Sequence, residues 1–300
     1  MAVGLKQNLG IYLIIHPVLF IINIIDFIIG LIIPNKYDDE TLPDKDSVLT
    51  ELTDKSDSSS AYRSTIFPDL MVLEDPNINV YKQFEASVKK YADVKTIGVR
   101  EVLSIEDEKQ PNGKSFKKYS LGEYKWTTYS RMYEKVNKFS NGLLNINLKS
   151  DMNVVLFSET RAEWLMSAFA CFRIKVPVVT LYATLGIEAL AFGINQTKSK
   201  YLITSSDSLS KILTILDQIQ NVTDIIVFTD KFSEKILSDF KKKATGIRVH
   251  TFDEIEELGS RSKKIENFTT PKKDDLALIM YTSGSTGNPK GVMIRLKLLK

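Results

Sequence analysis

Residues 278–293 read LIMYTSGSTGNPKGVM, and no other stretch restricts the fold so closely. An apolar run, residues 276–280, leads through Tyr281 into ten residues with almost no side-chain bulk. The run predicts a buried strand. Gly284, Gly287 and Gly291 permit tight turns and close backbone approach to a ligand. The hydroxyls of Thr282, Ser283, Ser285 and Thr286, with free backbone N–H groups, suit phosphate oxygens. Lys290 adds a point charge for the same oxygens. A strand feeding such a loop reads as a nucleotide-triphosphate site. The spacing is not that of a Walker A loop, which needs Gly-Lys-Ser/Thr after four intervening residues. Counting from Gly284, the second glycine slot holds Pro289 and the slot after Lys290 holds Gly291. A flexible Ser/Gly linker needs neither Lys and Pro in those slots nor a strand directly before them.

The pattern upstream alternates. Met132, Val136, Phe139 and Leu143 recur at spacings of four, three and four, which predicts an amphipathic helix over 129–145. Residues 154–157 read as a short buried strand. Thr160 to Glu163 have the form of a capping box, followed by the apolar stripe Trp164, Leu165, Ala168, Phe169 and Phe172. Strands over 176–181, 201–204, 224–229 and 247–251 alternate with helices from 187, over 209–220 and over 232–243. This order predicts an α/β fold with a parallel sheet covered by helices on both faces. Ligands of such sheets bind outside the carboxyl ends of the strands, where the loop after 276–280 falls.

Composition removes several functions. At 43% hydrophobic and 26% charged the 300-residue chain is globular. A net charge of +3, with no basic run interleaved with aromatics, gives no reason to expect nucleic acid. Cys171 is the single cysteine, and His16 and His250 are the two histidines. These cannot build a Cys/His metal cluster, and a Ser-His-Asp triad would depend on His250 in a strand-like run. Trp126, Arg161 and Trp164 read as packing and capping residues. Tyr182 to Gly186 read equally as a border of the substrate side or a plain strand-to-helix turn.

Residues 7–35 contain no Lys or Arg and enclose IYLIIHPVLFIINIIDFIIGLII, residues 11–33. As a helix that run is about 35 Å long, enough for a hydrocarbon core of about 30 Å. Its apolar residues are not confined to one face, so a membrane anchor is expected. The flank that follows is acidic, which by the positive-inside rule opposes a cytosolic domain for a spanning helix. Pro17, Gly30, Asn23 and Asp26 interrupt the segment, and a bent hairpin would keep both ends cytosolic.

The loop spacing resembles that of the adenylate-forming (AMP-binding) superfamily. The segments PNGKSFKKYSLGEYKW (111–126), ETRAEW (159–164), VPVVTLYATLG (176–186), YLITS (201–205) and EELGS (256–260) resemble its long-chain fatty acyl-CoA synthetases, in the same order. The resemblance implies an anchor at 1–34, an acidic Ser-rich linker at 35–64, a partial AMP-binding domain at 65–293 and an atypical end, IRLKLLK, at 294–300. It implies a long-chain fatty acid–CoA ligase using ATP, Mg2+ and CoA. Its ATP phosphates would lie on Thr282, Ser283, Gly284, Ser285, Thr286, Gly287 and Lys290. Catalytic residues and metal ligands are expected beyond Lys300, so a truncated form inactive alone is expected. The alternative is a non-catalytic, membrane-anchored decoy or dimerisation partner. The implied location is the endoplasmic reticulum membrane or lipid droplet, with membrane lipid and fatty acid as partners and self-association left open.

Overall fold

The computed structural model describes residues 50–65, 78–110, 113, 115–230, 233–262, 271–282 and 289–298. The chain divides into two compact units, Met1–Val72 and Leu73–Lys300. The expected anchor, residues 1–34, lies outside the described residues. Among the described residues no helix is long and apolar enough to cross a membrane.

In the first unit, part of the expected linker is ordered as a small hairpin. Strands β1 (Thr50–Leu52) and β2 (Tyr62–Ser64) pair antiparallel, with Thr50 opposite Ser64. Asx turns shape the connection. The Asp54 carboxylate accepts from Ser56 N at 2.9 Å, and that of Asp57 from Ser59 N at 2.8 Å. An acidic, Ser-rich composition thus served turn chemistry here.

The second unit opens with α1 (Val80–Lys90), capped by the Asn79 side chain on Lys82 N. A two-stranded ribbon follows, β3 (Lys95–Lys109) against β4 (Ser115–Thr128). Gly98 faces Trp126 across it. A Cβ on Gly98 would come within 2.8 Å of the indole, so the ring covers the glycine. Trp126 is therefore half-exposed on the ribbon and not a core residue.

The seven-stranded sheet has the order β11-β10-β6-β5-β7-β8-β9. Its members are β5 (Val154–Phe157), β6 (Val178–Leu181), β7 (Tyr201–Ser205), β8 (Asp224–Phe228), β9 (Arg248–Thr251), β10 (Leu276–Thr282) and β11 (Lys290–Arg295). All neighbours are parallel except β11, which returns antiparallel along β10. The expectation of a parallel sheet thus holds up to its edge. Central strands such as VVLF are apolar throughout because both faces are covered.

Alternate strand residues serve two cores. Val154, Leu156, Val178 and Ile203 pack under α1, α2 (Tyr129–Asn145), α3 (Ala162–Arg173) and α7 (Phe252–Arg261). Val155, Phe157, Val179 and Leu202 pack under α4 (Ile187–Gln196), α5 (Leu209–Leu213) and α6 (Glu234–Lys243). The stripe Met132, Val136, Phe139 and Leu143 is buried as its spacing predicts, and Phe139 stacks on Phe252 at 4.2 Å. Two expectations fail locally. The N-cap of α3 is Arg161, without a side-chain capping bond, because its guanidinium and the Glu163 carboxylate bind each other at 2.9 and 3.2 Å. The expected helix over 209–220 stops at Leu213 and continues as turns.

Candidate functional site

Strands β6 and β10 lie side by side, with Met280 paired to Thr180. After β6 the chain crosses through α4 to β7, beyond β5. After β10 it turns the opposite way into β11. Connections that diverge from adjacent parallel strands leave a crevice at their carboxyl ends, the usual ligand position in such sheets. Here the crevice is a pocket of about 440 Å³ lined by Tyr182, Thr184, Leu185, Tyr281, Thr282 and Pro289.

Each wall has a local cause. The turn after β6 is closed by a hydrogen bond from Leu185 N to Tyr182 O at 2.9 Å. Lys211, on α5, donates its ammonium to Ala183 O at 2.5 Å and so straps the turn to the helix layer. Residues 182–186 thus form a strand-to-helix turn, of which Tyr182, Thr184 and Leu185 line the pocket. Tyr281 is buried, and its hydroxyl donates to Gln196 Oε1 on α4. Burial raises its pKa, so the phenol stays protonated.

The β10–β11 hairpin brings the two ends of the motif together. Thr282 pairs with Lys290 and Tyr281 with Gly291. Gly291 is required by packing: a Cβ there would sit 2.9 Å from Ile279 Cγ2 and 3.3 Å from Tyr281 Cζ. Thr282 and Lys290 are both exposed at the mouth of the hairpin. Ser283, Gly284, Ser285, Thr286 and Gly287 lie outside the described residues. Chemically, the described part carries a hydroxyl and an ammonium at paired positions of the hairpin, two groups that suit an anion. The motif announced Thr282 and Lys290. Nothing in the sequence announced Lys211 or Gln196, whose partners lie on distant segments.

The family described as AMP-binding enzyme matches residues 106–297. The chain belongs to the AMP-binding enzymes. This AMP-binding enzyme is 40% identical over 211 residues to long chain acyl-CoA synthetase 8 of Arabidopsis thaliana, covering 70% of the chain and 29% of that relative. It is 34% identical over 230 residues to fatty acyl-CoA synthetase B of Dictyostelium discoideum, covering 76% of the chain and 32% of the relative. It thus spans under a third of the length of these two relatives. Among solved structures it resembles the A-PCP didomain of carboxylic acid reductase from Segniliparus rugosus in complex with AMP. The TM-score is 0.63 at 20% identity, over 75% of the chain and 33% of the other. That likeness shows the AMP-binding fold: a mostly parallel sheet carrying the hairpin.

Proposed function

We propose that this AMP-binding enzyme is a long-chain fatty acid–CoA ligase acting through an acyl-adenylate. The observation that carries the reading is the Thr282–Lys290 hairpin mouth beside the crevice, in a chain whose relatives are named long-chain acyl-CoA synthetases. A carboxylate is a poor electrophile. Attack of its oxygen on the α-phosphorus of ATP forms the mixed anhydride and expels pyrophosphate. The thiol of CoA then attacks the acyl carbon, and AMP leaves. Lys290 and the Thr282 hydroxyl hold the phosphates as negative charge gathers on the leaving pyrophosphate, the stage at which fixed donors count most. The residues lining the described pocket include no carboxylate. They therefore do not fit as ligands for the Mg2+ that accompanies ATP, and no step here runs through that ion.

Expression of a chain of the relatives' length, beside residues 1–300 alone, in a host stripped of its own long-chain acyl-CoA synthetases tests the activity. The longer chain is expected to give growth on long-chain fatty acid and ATP-dependent oleoyl-CoA formation in its lysate, and residues 1–300 alone to give neither. Absence of both from the longer chain, with the protein present, overturns the reading. The same proposal includes an anchor at residues 1–34, on the reticulum membrane or a lipid droplet. Deleting those residues is expected to move the protein from the membrane pellet to the supernatant. A deleted protein that still pelleted after a high-salt wash would refute the anchor.

A further inference from the structure

The opposite edge of the sheet, where the strands begin, carries a second pocket of about 450 Å³. It lies at the amino ends of β5, β7, β8 and β9, away from the crevice at the carboxyl ends. Tyr201, Asp224 and Arg248 occupy one row across neighbouring strands, so their side chains emerge on the same face. Tyr201 and Arg248 line the pocket, together with Lys149, Lys200, Asn147 and Gly246 from the connections that enter the strands.

Three cations thus surround this space: Lys149, Lys200 and Arg248. Asp224, fully buried in the same row, binds Arg248 at two points. Arg248 Nε donates to Oδ1 and Nη2 to Oδ2, each at 2.7 Å. Thr223 Oγ1 donates to Oδ2 at 2.8 Å. Burial acts to raise the Asp224 pKa, but His250 Nε2 at 3.4 Å, Arg248 and Thr223 outweigh it and hold the carboxyl at about 2. The carboxylate therefore stays charged at neutral pH and fixes the inner edge of the guanidinium. The Arg248 side chain remains 60% exposed, and Nη1 takes no part in the clamp. Lys149 and Lys200 have no ion-pair partner among the described residues. Three cations against one carboxylate leave two positive charges.

The walls are fixed by main-chain bonds. Met152 N donates to Lys149 O at 3.0 Å, Thr223 N to Lys200 O at 2.9 Å and Arg248 N to Thr223 O at 2.9 Å. Asn147 and Gly246 hold left-handed turns, with φ of 66° and 82°. The Tyr201 hydroxyl is turned away to Ile146 O at 2.9 Å, so the tyrosine ring, not its oxygen, forms the floor. A lone Lys cluster on a surface is solvated and mobile. This one is organised around an arginine already positioned by a buried acid, which lowers the ordering cost of binding.

We propose that this pocket binds a phosphate monoester, carried either by a small soluble molecule or by a lipid headgroup. The dianion matches the two excess charges, and the outer edge of a fixed guanidinium suits tetrahedral oxygens. The pocket has room for the phosphate and a few carbons against Tyr201 and Met152.

The test uses the whole chain. Binding of glycerol 3-phosphate is measured by calorimetry at fixed ionic strength in chloride. Binding to phosphatidylcholine vesicles is measured with and without phosphatidic acid. The parent is expected to bind at least one probe, and the Lys149→Gln/Lys200→Gln double variant at least about 10-fold more weakly. Lys290→Ala is expected to bind like the parent, since the phosphate-loop residue lies at the other end of the strands. Both lysines are exposed, so the double variant should unfold at the same urea concentration. Glycerol 3-phosphate binding identifies a soluble source. A gain confined to phosphatidic acid vesicles identifies a headgroup. Failure of both probes, parent-like binding by the double variant, or loss of binding in Lys290→Ala overturns the proposal.

Discussion

Gly142→Ala is expected to cost about 3 kcal/mol or more of folding stability, the upper end for overpacking a core and beyond. Helices α2 and α7 cross with almost no space between their backbones. A Cβ on Gly142 would lie 1.9 Å from Ile255 O, and one on Gly259 would lie 1.8 Å from Lys138 O and 2.6 Å from Gly142 N. The obstruction is main chain, so no rotamer relieves it, and the helices must move apart. Separation would loosen Phe139 from Phe252, which stack across this crossing with Phe139 fully buried. Gly259→Ala is expected to cost a similar amount. The double variant is expected to cost clearly less than the sum, because the first methyl already opens the space for the second. Gly122→Ala serves as the comparison. Its Cβ would meet Leu103 Cδ2 at 3.5 Å, an ordinary contact, and a change within about 0.5 kcal/mol is expected. Urea unfolding followed by circular dichroism measures all four. A Gly142→Ala midpoint equal to the parent's would show that the crossing tolerates a side chain.

That crossing also shows where sequence reasoning stops. The stripe on α2 was legible because burial repeats every three or four residues, and all four of its members are in the core. The need for Gly142 to meet a residue on α7 was not legible, since no local pattern links two glycines so far apart. The short α5 is instructive in another way. Ile212, Ile215 and Ile219 have helical spacing and are all buried, yet turns carry the chain beyond Leu213. Bonds from Ile215 N to Ile212 O and from Gln218 N to Ile215 O point the same side chains inward without a continuous helix. The β3–β4 ribbon escaped for the converse reason. Much of both its faces is solvent-exposed, so it has little of the polar–apolar alternation that marks a half-buried strand. At the candidate site, the glycine-rich motif marked the end of β10 and named Thr282 and Lys290, which the hairpin sets opposite each other. The surroundings depended on tertiary contacts: the Lys211 strap and the Tyr281–Gln196 bond join segments 28 and 85 residues apart.

In a chain of the relatives' length, Lys290→Ala is expected to lower adenylation by about 100- to 1000-fold, the usual loss when one fixed donor is removed from a transition-state charge site. This expectation rests on the proposed ligase reading and on the hairpin that sets Lys290 beside Thr282. Bond breaking places new negative charge on the pyrophosphate oxygens, so an ammonium held there stabilises the transition state more than bound ATP. The loss should therefore fall mainly on kcat, with a smaller change in KM for ATP. Lys290→Arg keeps the charge but not its compact geometry, and intermediate activity is expected. Lys290 is exposed at the start of β11, so stability should hold within about 0.5 kcal/mol. Gly291→Ala, one residue on, is expected to fail differently. Its methyl would press on Ile279 and Tyr281, and stability should fall along with activity. Pyrophosphate exchange with oleate as substrate, on the longer protein purified from the synthetase-deleted host, separates these outcomes. An unchanged exchange rate in Lys290→Ala would remove this residue from the phosphate site and, with it, the role assigned to the hairpin mouth.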